Sequence, residues 1–183
     1  MLSPNRKSME ESLVQNQLLL SIDAETDGLY GETFAIGAAV ISAGGEVLDT
    51  FAGKAEEGRV ESAWVRENSL SHLSDLPAFD TREQLRDAFW AFYLQWRERC
   101  VIVADVPYPV EAGLLRQCVM KDLPEREFLG PFPLIDLASV LYAHGLDPLL
   151  DRMAFCGRKG RRHHPLDDAI ASGLCLVRVM RKD

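Results

Sequence analysis

Two acids with one residue between them follow an apolar run: Leu18-Leu19-Leu20-Ser21-Ile22 leads into Asp23-Ala24-Glu25. A strand alternates its side chains with a period of two, so Asp23 and Glu25 point to the same face. Two carboxylates side by side repel each other, and packing asks for neither. A divalent cation between them resolves the repulsion, because hard cations such as Mg²⁺ take carboxylate oxygens. An acidic turn that ends a strand is the competing reading. Further acids stand at other element boundaries: Asp105 after the apolar run Cys100–Ala104, Glu111 in the first turn of a helix, and Asp167 and Asp168 behind Pro165 at the start of the last helix. Strand ends and helix starts of an α/β sheet can converge on one crevice. Three or four carboxylates gathered there require cations, and a two-metal site suits displacement at phosphate. His163, five residues before Asp168, has an ordinary pKa suited to taking a proton at neutral pH. The tandem His163-His164 can equally be solvated loop, or one ring can cap the chain through a hydrogen bond. His72 and His144 have no acidic cluster beside them and read as structural.

The elements that must hold these groups follow from pattern. Gln17–Ile22, Thr33–Ser42 and Val47–Lys54 read as strands, with a hairpin at Ala43-Gly44-Gly45-Glu46. Glu56–Pro77 is polar and irregular, pinned by Trp64, Val65 and Leu70. Asp80-Thr81-Arg82-Glu83 reads as a helix start with an acid cap. Leu85, Ala88, Phe89, Phe92, Tyr93 and Trp96 then recur at steps of three and four, an amphipathic helix whose aromatic stripe is core. Cys100–Ala104 is a buried, parallel strand. Val110–Met120 is a helix, Pro131–Asp136 a short strand, and Leu137–Ala143 a short helix ended by Gly145. Asp136, between strand and helix, suits a cap. Asp147–Arg162 reads as loop with a basic cluster at Arg158, Lys159, Arg161 and Arg162. Pro165 opens the last helix.

The 183 residues fit one domain over residues 16–183, with residues 1–15 as a flexible lead-in. The fold class is α/β: a mixed sheet of five strands, a three-strand antiparallel meander plus parallel strands, flanked by helices. No apolar run approaches the ~20 residues of a membrane span. The N-terminus lacks the apolar core of a signal peptide, which predicts a cytoplasmic protein. Four scattered cysteines without a Cys-x-x-Cys pair read as structural thiols rather than a zinc site. A formal net charge of −8 counts against non-specific binding to long duplex nucleic acid.

Ile22-Asp23-Ala24-Glu25-Thr26-Asp27-Gly28-Leu29 resembles the first motif of the DEDDh 3′-5′ exonucleases, and His163-His164-Pro165-Leu166-Asp167-Asp168-Ala169 resembles their third. The resemblance spans roughly residues 17 to 180. It implies an RNase H-like sheet and two Mg²⁺ or Mn²⁺ ions held by Asp23, Glu25, Asp168 and a fourth acid, with His163 as general base. It implies release of 5′-mononucleotides from the 3′ end of single-stranded or short RNA or DNA, with Thr26 and Leu29 against the terminal nucleotide. Many relatives are dimers, so a homodimer is among the states it allows. The second motif departs from the pattern. Glu111 has the family's apolar spacing but replaces an Asp, while Asp105 stands where the family has Asn; Glu111 is favoured and Asp105 is its rival. Arg158 and Arg161 can draw in the phosphate backbone, by charge and not by family; a solvated loop is the competing reading. Two other functions remain open: a non-catalytic nucleic-acid or partner-binding module, and a hydrolase of dinucleotides or very short oligonucleotides.

Overall fold

The computed structural model describes residues 17–56, 58 and 60–181; the lead-in expected over residues 1–15 lies outside them. Six strands form one mixed sheet: β1 (Leu18–Thr26), β2 (Thr33–Ile41), β3 (Val47–Ala55), β4 (Ala78–Phe79), β5 (Cys100–Ala104) and β6 (Leu134–Asp136). Their order is β4-β3-β2-β1-β5-β6. β1, β2 and β3 are antiparallel neighbours; β5 runs parallel to β1, and β6 parallel to β5. The helices are α1 (Ala63–Asn68), α2 (Arg82–Trp96), α3 (Val110–Met120), α4 (Leu123–Arg126), α5 (Leu137–Ala143), α6 (Arg152–Cys156) and α7 (Pro165–Met180).

Alternation along β1 divides the core. Leu20, Ile22 and Ala24 pack with Leu85, Phe89 and Tyr93 of α2 and Leu114 of α3 on one side of the sheet. Leu19 faces the other side, where Leu176 and Val177 of α7 pack with Val103, Ile41 and Leu137. Asp23 and Glu25 share the parity of Leu19 and therefore face α7. Both faces are covered at β2, all of whose residues are buried.

The absence of a side chain lets α7 sit unusually close. Gly37 pairs with Asp23 across the sheet. A Cβ on Gly37 would lie 2.2 Å from the Pro165 carbonyl carbon and 2.3 Å from the Leu166 nitrogen. Further along the same helix, a Cβ on Gly173 would lie 2.4 Å from Ile41 Cδ1. Only glycine at these two points allows backbone to press on sheet.

Four expectations are corrected. The sheet has six strands, not five: Ala78 and Phe79 pair with Lys54 and Ala55, and two residues are too few to show a period. Residues 56–77 carry α1 and a 3₁₀ turn at Leu70–His72. There Val65 is buried, with Leu73 and Leu76, but Trp64 and Leu70 are exposed. The cap of α2 is not an acid: the Thr81 hydroxyl oxygen accepts from the Gln84 N–H while Gln84 Oε1 accepts from the Thr81 N–H, a capping box. The stretch 147–162 contains α6, a single turn capped by Asp151 and ended by Gly157 at φ +71°. Asp136 does cap α5, accepting from the Ser139 N–H. All four cysteines are free, and Cys100, Cys118 and Cys175 are buried. Among the described residues no helix is long and apolar enough to cross a membrane.

Candidate metal centre

The acids gather at the ends of the parallel strands β1 and β5, where the open-sheet rule places sites. Asp23 and Glu25 enter from β1, Asp168 from the first turn of α7, Glu111 from the first turn of α3, and Asp105 from the residue after β5. One oxygen each of Asp23, Glu25 and Asp168 lies within 4.8 Å of the others. Their side chains are partly buried. Burial pushes all three carboxyls up, and neighbouring carboxylates add to it. Glu25 and Asp168 each rise to about 7. Asp23 is raised well above its ordinary value, first by burial, and the charges acting on it are Glu111, Asp168, Glu25 and Asp105, all acids. The Asp168 carboxylate accepts from the His163 and His164 backbone N–H groups, which offsets part of its rise. Beside Glu25 stands the buried Ser69 hydroxyl, close enough to draw it down slightly yet without a hydrogen-bond partner of its own. Hard oxygen donors, crowded and without a cationic side chain among the charges that act on Asp23, fit a divalent metal ion.

The two rivals for a fourth acid differ in their surroundings. Glu111 is buried, 6% exposed, and its Oε1 accepts from the Ala24 N–H at 3.2 Å, between Asp23 and Glu25. The last β1 residue paired to β5 is Ile22, so the Ala24 N–H on that side is open to Glu111. Burial first, then Asp105 and Glu25, raise Glu111 to about 8, against the hydrogen bonds it accepts. Asp105 has a cation of its own. Arg152, from the start of α6, donates Nε and Nη2 to Asp105 Oδ1 at 2.9 and 2.6 Å and also bonds the Leu150 and Pro148 carbonyls. Arg152 was not singled out by the sequence; no local pattern links it to an acid 47 positions earlier.

His163 has φ +58°, the left-handed region that non-glycine residues rarely take. Its ring meets the exposed Trp64 edge-on, with centroids 5.1 Å apart. Burial, then the His72 and Arg162 charges, lower its pKa, so the imidazole is neutral at pH 7. His164 is enclosed instead: 2% exposed, at the N-cap of α7, with Nε2 2.9 Å from Arg161 Nη2. A guanidinium only donates, so Nε2 is the acceptor. The tandem therefore splits into one ring packed against Trp64 and one that builds the loop.

Thr26 and Leu29 line a cleft of ≈ 270 Å³ with Tyr30, Tyr108 and Arg116. Leu29 is 67% exposed, and Tyr30 and Tyr108 meet edge-on at its rim. Neither tyrosine was marked by the sequence, since a turn residue leaves no periodic signal. Asp27, inside the first motif, is structural: its carboxylate accepts from the Glu61 and Ser62 N–H groups at 2.8 Å each. Two members of the basic cluster are paired within the protein: Arg161 bonds Asp167 and Asp75, and Arg162 pairs with Asp151. The Arg158 Nε is buried without a hydrogen-bond partner. No protein-family model matches the chain, and no curated protein matches it.

Proposed function

We propose that the chain is a metal-dependent 3′-5′ exonuclease of the DEDDh type, on an RNase H-like sheet, acting on short or single-stranded nucleic acid. The observation that carries the reading is the meeting of Asp23, Glu25 and Asp168 within 4.8 Å. Two Mg²⁺ or Mn²⁺ ions bound there would activate water and neutralise the charge that builds on the phosphate. Asp23, Glu25 and Asp168 would hold them, with Glu111 as the fourth ligand, since Asp105 is occupied by Arg152. His163, neutral at pH 7, takes the proton of the attacking water. Thr26 and Leu29 seat the terminal nucleotide in the adjoining cleft. The acidic net charge and the internal pairing of Arg161 and Arg162 favour short substrates over long duplex.

A 5′-labelled single-stranded oligomer incubated with Mn²⁺ or Mg²⁺ tests the reading. The expected product is a ladder shortened from the 3′ end, with 5′-mononucleotides released. Asp23→Ala and His163→Ala abolish it. An oligomer that binds but is never shortened identifies a binding module instead, and activity surviving both substitutions rejects the proposal.

A further inference from the structure

We infer that Arg161 is a positioning residue that sets His163, by clasping the His163 loop to the segment that carries Trp64; the inference rests on the nuclease reading for its kinetic consequence. Arg161 joins three groups. Its backbone N–H and Nε both bond Asp167 Oδ2 at 3.1 Å, its Nη1 bonds Asp75 Oδ1 at 2.8 Å, and its Nη2 meets the buried His164 ring at 2.9 Å. Asp167 and His164 belong to the start of α7. Asp75 belongs to the far wall, 86 positions away in sequence. That wall brings Trp64 against the His163 ring, Ser69 beside Glu25, and His72 near enough to act on His163.

His163 needs such support. Its left-handed backbone is unfavourable for a residue with a Cβ and persists only where the surroundings over-determine it. Residues 161, 164, 167 and 168 are all tied by hydrogen bonds, while the His163 ring has Trp64 as its aromatic neighbour. Arg161 supplies the ion pair that fastens the Asp75 wall to the His163 loop; His164 Nε2 lies 3.6 Å from Asp75 but, as the acceptor on a neutral ring, makes none. The planar guanidinium fork is what allows one side chain to reach both acids.

The test uses the full chain labelled with 5-fluorotryptophan, with the Trp64 resonance assigned by Trp64→Phe. Arg161→Ala and Asp75→Asn should each shift the Trp64 fluorine signal and leave those of the buried Trp90 and the partly buried Trp96 in place. Each should lower kcat by about 10- to 100-fold with KM within about twofold, because a misplaced general base slows the step without loosening substrate. Arg161→Lys, a point charge that reaches one acid, should recover part of kcat. Asp75 is exposed and Asn is its isostere, so that variant folds even if Arg161→Ala does not. A Trp64 signal unmoved in the Asp75 variant overturns the clasp. So does a rise in KM with kcat retained, which would mark Arg161 as a substrate contact. If the wild type cuts no oligomer, the nuclease reading fails, and the fluorine signal alone decides the clasp.

Discussion

Metal-free protein should lose stability as pH rises through neutrality, and divalent metal should abolish that loss. Glu25 titrates near 4.5 in the unfolded chain and near 7 in the fold; Asp168 moves from 3.8 to about 7. Between those limits the folded state keeps protons that the unfolded chain has released. Stability then falls with rising pH. For Glu25 alone the difference amounts to about 3 kcal/mol at 1.36 kcal/mol per pH unit. The Asp168 contribution overlaps it, since the Asp168 charge is one of the causes that raise Glu25, so the two are not added. At 2–4 °C per kcal/mol for a chain of this size, the melting temperature in chelator should drop by about 10 °C between pH 5 and pH 8. Below pH 5 the trend reverses. Asp27, Asp75, Asp151 and Asp167 are held below their ordinary value by hydrogen bonds and arginines, and protonating them removes that support. Calorimetry from pH 4 to 8, with EDTA or Mn²⁺, measures the curve. Glu25→Gln should make it shallower above pH 5, with Asp23, Asp168 and Glu111 supplying the slope that remains. A melting temperature that is level or rising from pH 5.5 to 8 in EDTA, or a slope identical in Glu25→Gln, refutes the reasoning.

Two further outcomes separate the site's parts. Gly37→Ala drives a Cβ into the Pro165–Leu166 backbone, which cannot rotate away, and should cost about 3 kcal/mol and weaken Mn²⁺ stabilisation by displacing Asp168; an unchanged Mn²⁺ titration would contradict that coupling. Asp105→Asn strips Arg152 of its anion and should destabilise by about 2 kcal/mol, a buried-pair cost discounted because Asp105 is a third exposed, while keeping the Mn²⁺ response; Glu111→Gln should weaken that response, and the opposite pattern in thermal melts would make Asp105 the ligand.

What the sequence reveals depends on how local its cause is. The period of two in β1 puts Asp23 and Glu25 on one face, and the fold has them so because Leu20, Ile22 and Ala24 fill the other. Pro165 at a helix start is legible for a similar reason: its ring suits only that position. Helix α6 escaped because one turn shows no repeat, and β4 because two residues show none. The pairing of Arg152 with Asp105, and of Arg161 with Asp75, spans 47 and 86 positions. No spacing rule reaches so far, so the basic cluster reads as free charge until the fold shows where its partners stand.

The close seam between α7 and the sheet also fixes when the candidate centre can exist during synthesis. Asp168 follows every strand in chain order and reaches Asp23 only once Pro165 has settled over Gly37. A nascent chain stopped before residue 165 holds Asp23, Glu25 and Glu111 but not the acid that completes their cluster. If the proposed metal binds, its binding would report on completion of the last helix, and a ribosome-held chain should acquire it only after α7 has emerged.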